Sequence, residues 1–211
     1  MYNTGHIDFL KEQINLYQWG DKEGIFIVDK HIDHTFLINV VVTAAVQGDL
    51  KFASDFLERN KSFLIPDLQS DTTNLCLAFI AFHGQRYDVA EKALLSIEDK
   101  ENYVFGIRRQ SLLLRTVYCL YRSNSPGSDY NKVIDRCKAY AAFFKRNTYD
   151  ASKGRIIAYL NLKEFVYQMA YYRNQKRGGN IISGFTSGLA KKLVDAPCIA
   201  KKWVAAEIKL L

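Results

Sequence analysis

The apolar positions of this chain recur at helical spacing almost from end to end, and strand-like alternation is nearly absent. In "HIDFLKEQINLYQ", residues 6–18, Ile7, Leu10, Ile14 and Tyr17 fall on one face of a helix. The period then lapses through "WGDKEGIFIVDKHID", where glycines and aspartates punctuate the chain. Within it "GIFIVD" has strand composition but no partner strand, so an extended loop is expected. From His34 the period returns. "HTFLINVVVTAAVQGD" predicts a helix stopped by Gly48, and "LKFASDFLERNKSFL" a second that ends near Pro66. "DTTNLCLAFIAFHG" and "YDVAEKALLSI" predict the next pair. "VFGIRRQSLLLRTVYCLYRS" and "YNKVIDRCKAYAAFFKRN" follow, joined by the turn "NSPGSD". "SKGRIIAYLNLKEFVYQMAYYRN" is the longest, broken by "QKRGGN". "FTSGLAKKLVD" and "PCIAKKWVAAEIKLL" complete the series, with Pro197 placed for a first helical turn.

Helices joined by short turns must lie antiparallel, and a lone hairpin cannot bury its own apolar face. The expected fold is therefore all-α, a single domain over 1–211 in which hairpins stack. The hairpins are expected at about 34–68, 71–104, 106–146 and 152–195, with a capping helix at 197–211.

Two of these hairpins share a pattern. Ala53 and Ala90 lie 37 residues apart, within "AAVQGDLKFASDFL" and "IAFHGQRYDVAEKAL". In each, small apolar residues and a glycine lead to a bulky residue (Leu50, Tyr87), then the alanine, then a leucine (Leu57, Leu94). The alanine permits close approach of two helices, and the glycine ends the first of them. This pattern resembles the tetratricopeptide repeat. Units 106–146 and 152–195 resemble it more loosely; Tyr130, Val133 and Cys137 would take the bulky, small and bulky places. The closing "CIAKKWVAAEIKLL" is similar to the C-terminal end of long, uncharacterised bacterial helical-repeat proteins. That resemblance implies a right-handed α-solenoid, supplies no activity, and suggests a longer parent preceding Met1.

In tetratricopeptide units the first helix of each hairpin lines a concave groove. Carried over, this gives Thr35, Ile38, Val42, Ala45 and Val46 in one unit. In the next it gives Thr72, Leu75, Phe79, Phe82 and His83. Such an apolar surface either binds a peptide or is filled by another part of the protein.

Composition adds one strong feature. The net charge of +7 is unevenly placed: residues 1–105 hold 9 Lys+Arg against 16 Asp+Glu, whereas 106–211 hold 20 against 6. The basic half attracts acidic partners. Arg108, Arg115 and Arg122 recur every seven residues and share a helix face. Nine of the 13 tyrosines also follow residue 105. Arginine with tyrosine suits nucleic acid through phosphate contact and base stacking, although tyrosines at helical spacing also serve as core.

Chemistry is harder to find. His83 in "HGQRYD" has Asp88 nearby but no serine or cysteine beside it, and a helix C-terminus favours histidine through its dipole. "DKHIDH" sets His31 and His34 beside Asp29 and Asp33 without a metal-binding spacing, and Asp33 suits a helix N-cap. Gly179 and Gly184 have a phosphate-loop gap, but Phe185 stands where that loop needs lysine. Cys76, Cys119, Cys137 and Cys198 form no CxxC pair and read as buried thiols of a reducing compartment. No run of 18 apolar residues and no leader pattern is seen.

The expected protein is a cytoplasmic interaction scaffold without catalysis, cofactor, metal or membrane contact. Its partner is a protein or peptide of acidic character, with Leu75, Phe79, Phe82 and His83 supplying apolar contacts and Arg108, Arg115 and Arg122 steering. The rival is a nucleic-acid-binding module using the basic half.

Overall fold

The computed structural model describes residues 7–98, 103–146 and 153–211. Among them are ten α-helices and no strand; the closest approach to one is an isolated bridge between Val28 and His31 within the expected extended loop. The chain divides into two compact units, which meet in sequence at residue 100.

The N-terminal unit holds α1 (Ile7–Lys22), α2 (His34–Gln47), α3 (Leu50–Asn60), a 3₁₀ turn (Lys61–Phe63), α4 (Pro66–His83) and α5 (Tyr87–Leu95). Helix α2 packs on α1, α3 and α4, and α4 packs on α5. The β-branched run Val40–Val41–Val42 is poor helix material. Burial overrides that preference: Leu37, Val40, Val41 and Ala44 are wholly inaccessible to solvent. Caps fix both ends of α2. Asp33 Oδ1 accepts from the Phe36 N–H at 2.7 Å, as its position predicts. Gly48 takes φ +86°, and its N–H reaches the carbonyls of Ala44 and Ala45. Ala53 and Ala90 are both fully buried in the second helix of their hairpins.

Several boundaries differ from expectation, each for a local reason. Pro66 begins α4 rather than ending the preceding helix, because its missing N–H costs nothing in a first turn. Helix α1 continues through Gly20 to Lys22. Gly20 is there for space: a Cβ would lie 2.3 Å from the Phe26 ring. Phe26 in turn meets Phe36 with ring centroids 4.6 Å apart and Phe56 at 6.3 Å. Gly84 has φ −81°, and the left-handed residue after α4 is Gln85 at φ +59°. Gly84 instead permits close approach, since its Cβ would stand 3.2 Å from the Ile80 carbonyl and 3.4 Å from Leu50 Cδ1.

The C-terminal unit holds α6 (Tyr103–Arg122), α7 (Tyr130–Arg146), α8 (Lys153–Arg177), α9 (Phe185–Asp195) and α10 (Lys201–Lys209). Helices α6, α7 and α8 pack mutually, and α10 packs on α8 and α9. Tyr118, Tyr140, Phe144 and Phe165 are nearly inaccessible in its core. The Tyr140 hydroxyl meets the Ser111 hydroxyl at 3.2 Å, so neither polar group is stranded. Pro197 lies before α10, which starts at Lys201. The intervening stretch is pinned to α8: Asn161 donates to the Pro197 carbonyl at 2.7 Å, and the Ile199 N–H donates to Ala158 at 3.2 Å. Residues 99–102 and 147–152, the latter holding the junction expected between hairpins 106–146 and 152–195, lie outside the described residues. Among the described residues no helix is long and apolar enough to cross a membrane.

Candidate functional site

Leu75, Phe79 and Phe82 are 0%, 6% and 4% exposed, so the apolar face expected to form a groove is already covered in the folded chain. Phe82 stands edge-on to His83 and to Tyr87, with ring centroids at 5.4 and 5.5 Å. His83 is half-buried in the last turn of α4. Thr72, Ile38 and Ala45 are also buried, while Val46 is 47% exposed. A ligand reaching the three apolar side chains of α4 would have to displace protein.

Arg108, Arg115 and Arg122 do share a face of α6, but none is fully exposed. Arg115 donates from Nε to the Ser111 carbonyl at 3.3 Å and lies over the Trp203 ring, 5.9 Å from its centroid. Burial pushes its guanidinium down to about 10, still charged at neutral pH. Arg122 Nε is 3.5 Å from Glu207 Oε2. Arg108 is half-buried, close enough to Tyr159 for its charge to oppose the upward push of burial on that phenol. Two of these arginines thus hold α10 down on α6.

The same helix is held from α8. Arg173 donates from Nε to the Tyr118 hydroxyl at 3.0 Å and from Nη2 to the Leu210 carbonyl at 2.9 Å. Lys176 donates to the Leu211 backbone oxygen at 2.6 Å. Arg177 donates to the Tyr121 carbonyl at 3.0 Å and lies 4.3 Å over the Tyr121 ring. Trp203 stands edge-on to Tyr118 at 5.8 Å. Burial lifts the Tyr118 phenol to about 12 against the pull of Arg173. Burial also raises the Glu207 carboxyl, against the opposing charges of Arg122 and Arg173. These cations are structural fasteners, and they turn the opposite side of α10 outward.

On that outward side, α9 and α10 leave an open groove of about 370 Å³. Ala190, Leu193 and Val194 form one wall, and Ala205 and Ile208 the other. Val194 is 71% exposed, a high value for an aliphatic side chain. Lys201, Lys202 and Lys209 rim the groove. Lys201 is engaged, donating to the Val194 carbonyl at 2.7 Å; Lys202 and Lys209 extend into solvent. Small residues between lysines at helical spacing, "KKWVAAEIK", carry this groove in the sequence. The α10 segment reads there as a cap because its other face, with Val204 and Glu207, is buried.

A second exposed feature lies on α7 and α8. Tyr167 and Tyr171, one turn apart, are 39% and 38% exposed, and both act on the Tyr130 phenol. Tyr130 also packs against Tyr121 at 6.4 Å.

The remaining candidates are quiet. His31 Nδ1 is 2.9 Å from the Asp29 carbonyl oxygen, and His34 is 3.8 Å from the Asp33 carboxylate that caps α2. Among the described residues no cluster of three His, Cys, Asp or Glu side chains is placed to hold a metal ion. Gly184 takes φ +71° at the start of α9, after a stretch with no preceding strand among the described residues. All four cysteines are buried and free. Comparison with protein-family models, with curated proteins and with solved structures gives no match.

Proposed function

We infer that the chain is a non-catalytic protein-interaction module of tetratricopeptide-like hairpins, and that it takes an apolar, acid-flanked helical segment in the α9–α10 groove. The observation that carries this reading is the groove itself: an apolar lining in which Ala190 and Val194 are exposed, small residues on both walls and lysines at its edge that reach solvent. Alanines let a third helix approach closely, the geometry by which amphipathic helices enter two-helix grooves. The lysines favour acidic flanks and reject basic ones. The paired helices of the N-terminal unit, with Ala53 and Ala90 buried between them, support the hairpin-repeat reading. A cytoplasmic setting fits four thiols left unpaired.

The test is fluorescence anisotropy with two labelled amphipathic helical peptides of identical apolar face, one acid-flanked and one lysine-flanked. The acid-flanked peptide is expected to bind, more weakly as salt rises, and Ala205→Glu to abolish binding. Equal binding of both peptides, or binding indifferent to Ala205→Glu, overturns the reading.

The exposed tyrosine pair Tyr167 and Tyr171 favours a second reading, stacking of single-stranded nucleic acid on the basic unit. That reading expects affinity for an unstructured oligonucleotide that falls steeply with salt and drops in Tyr167→Ala/Tyr171→Ala. No detectable binding at low salt removes it.

A further inference from the structure

The N-terminal unit carries a surface whose pattern mirrors the groove. On α1, Glu12, Leu16, Trp19 and Glu23 follow at spacings of 4, 3 and 4 residues, which puts them in one row along the helix. Glu23 stands just past the end of α1, but its N–H still bonds the Trp19 carbonyl at 3.0 Å, continuing the helical turn. All four side chains are exposed, Leu16 at 59% and Trp19 at 54%. A tryptophan left half in water, on a helix that Ile14 and Tyr17 anchor, is unusual for a face with no partner. The row has an apolar centre and an acidic residue at each end. Lys11, Gln18 and Lys22 lie beside it rather than in it.

The groove has the complementary order. Lys202, Ala205 and Lys209 follow at spacings of 3 and 4 along α10, with Ala190 and Val194 facing them from α9. At the helical rise the acidic row spans about 16 Å and the two lysines about 10 Å, a difference that extended lysine side chains can bridge at each end. The charge balance of the two halves, 9 basic against 16 acidic residues before position 106 and 20 against 6 after it, points the same way.

We propose that the occupant of the α9–α10 groove is the α1 face of a second copy of this chain. This rests on the reading of that groove as a helix-binding site and names its partner. Trp19 and Leu16 lie on the Ala190, Val194 and Ala205 floor, with Glu12 and Glu23 near Lys202 and Lys209. The contact joins two different surfaces, so it is heterologous: it either closes into a ring, of which a reciprocal dimer is the smallest, or propagates as an open chain.

The measurement is mass against concentration by sedimentation equilibrium on the full chain, up to about 100 μM, a range that captures micromolar contacts. Wild type is expected to rise above the monomer mass as concentration rises at low salt, to a closed assembly or an open series, and to fall back towards monomer at high salt. Trp19→Ser and Ala205→Glu are each expected to stay monomeric. Mixed in equal amounts they are expected to form a dimer and stop there, because one intact α1 face meets one intact groove. No assembly in the mixture, or wild type that stays monomeric throughout, overturns the proposal. Should either variant fold poorly by circular dichroism, the charge reversals Glu12→Lys/Glu23→Lys and Lys202→Glu/Lys209→Glu replace them, since all four sites are solvent-exposed. Each pair alone is expected to abolish assembly and their combination in one chain to restore it; no restoration overturns the proposal. If wild type stays monomeric while the acid-flanked peptide still enters the groove, the self-association falls and the binding module stands. If the peptide also fails, both fall.

Discussion

Arg122 and Glu207 meet at 3.5 Å, with the carboxylate almost wholly buried and the guanidinium about one-fifth exposed. Breaking such a pair by removing the cation leaves a buried charge with less compensation, which costs more than the pair contributes. Arg122→Leu is therefore expected to destabilise the C-terminal unit by about 1–3 kcal/mol at neutral pH, less than a fully isolated pair would show because Arg173 remains nearby. The sign of the pH dependence follows from Glu207. Its carboxyl is already raised by burial, and loss of Arg122 raises it further. Protonation on acidification then relieves the stranded charge, so the deficit of the variant relative to wild type shrinks between about pH 7 and pH 5. Urea unfolding at the two pH values checks this; a deficit that grows on acidification contradicts it.

Alkali is expected to weaken the fold through its thiols. Burial pushes Cys137 up to about 12 and Cys198 up to about 11, from an ordinary 9.0. Above about pH 9 the unfolded chain gives up these protons while the folded chain keeps them, so the unfolded state binds fewer protons and stability falls as pH rises. The contribution is complete below about pH 9 and declines towards the folded values at about 1.4 kcal/mol per pH unit for each thiol. Replacing both by alanine should flatten this alkaline limb. Native protein at about pH 8 should also react slowly with a thiol reagent, and unfolded protein fast, because reaction needs an accessible thiolate.

Three positions separate the two uses of glycine. Gly20→Ala places a methyl against the Phe26 ring and is expected to cost about 1–3 kcal/mol. Gly48→Ala meets open space but must hold φ +86°, and is expected to cost about 1–2 kcal/mol. Gln85→Gly relieves a left-handed glutamine and is expected to be neutral or stabilising by up to about 1 kcal/mol. Equilibrium denaturation of the three variants orders them.

Tyr140→Phe removes the contact between the Tyr140 and Ser111 hydroxyls and leaves Ser111 without that partner in a buried site. The expected loss is about 1–2 kcal/mol. Adding Ser111→Ala should recover part of it, which a double-mutant cycle measures.

The helical content was legible because periodicity is a local property that burial only reinforces. Asp33 and Gly48 announced the two ends of α2, and the structure uses both. Pro66 misled, and Gly84 ends α4 as expected but without a positive φ, because each residue type serves two purposes. Proline can follow one helix or open the next, and glycine can supply a positive φ or only an absent side chain. The arginine row on α6 was read correctly as a row. Its surroundings were not legible, since only folding brings Trp203 and Glu207 onto Arg115 and Arg122. Leu75, Phe79 and Phe82 show the same limit: spacing gives their common helix face, but not what covers it. The α9–α10 groove escaped sequence reading because it is made by two helices whose separation no local pattern encodes.

The chain's two tryptophans fall one in each compact unit, Trp19 in the first and Trp203 in the second. Trp19 emits from water, whereas Trp203 emits from between a guanidinium and a phenol ring. Intrinsic fluorescence is therefore a built-in two-channel recorder. Silencing either indole isolates the other unit's melting curve without a dye, and shows directly whether the acidic and basic halves of this molecule come apart in one step or in two.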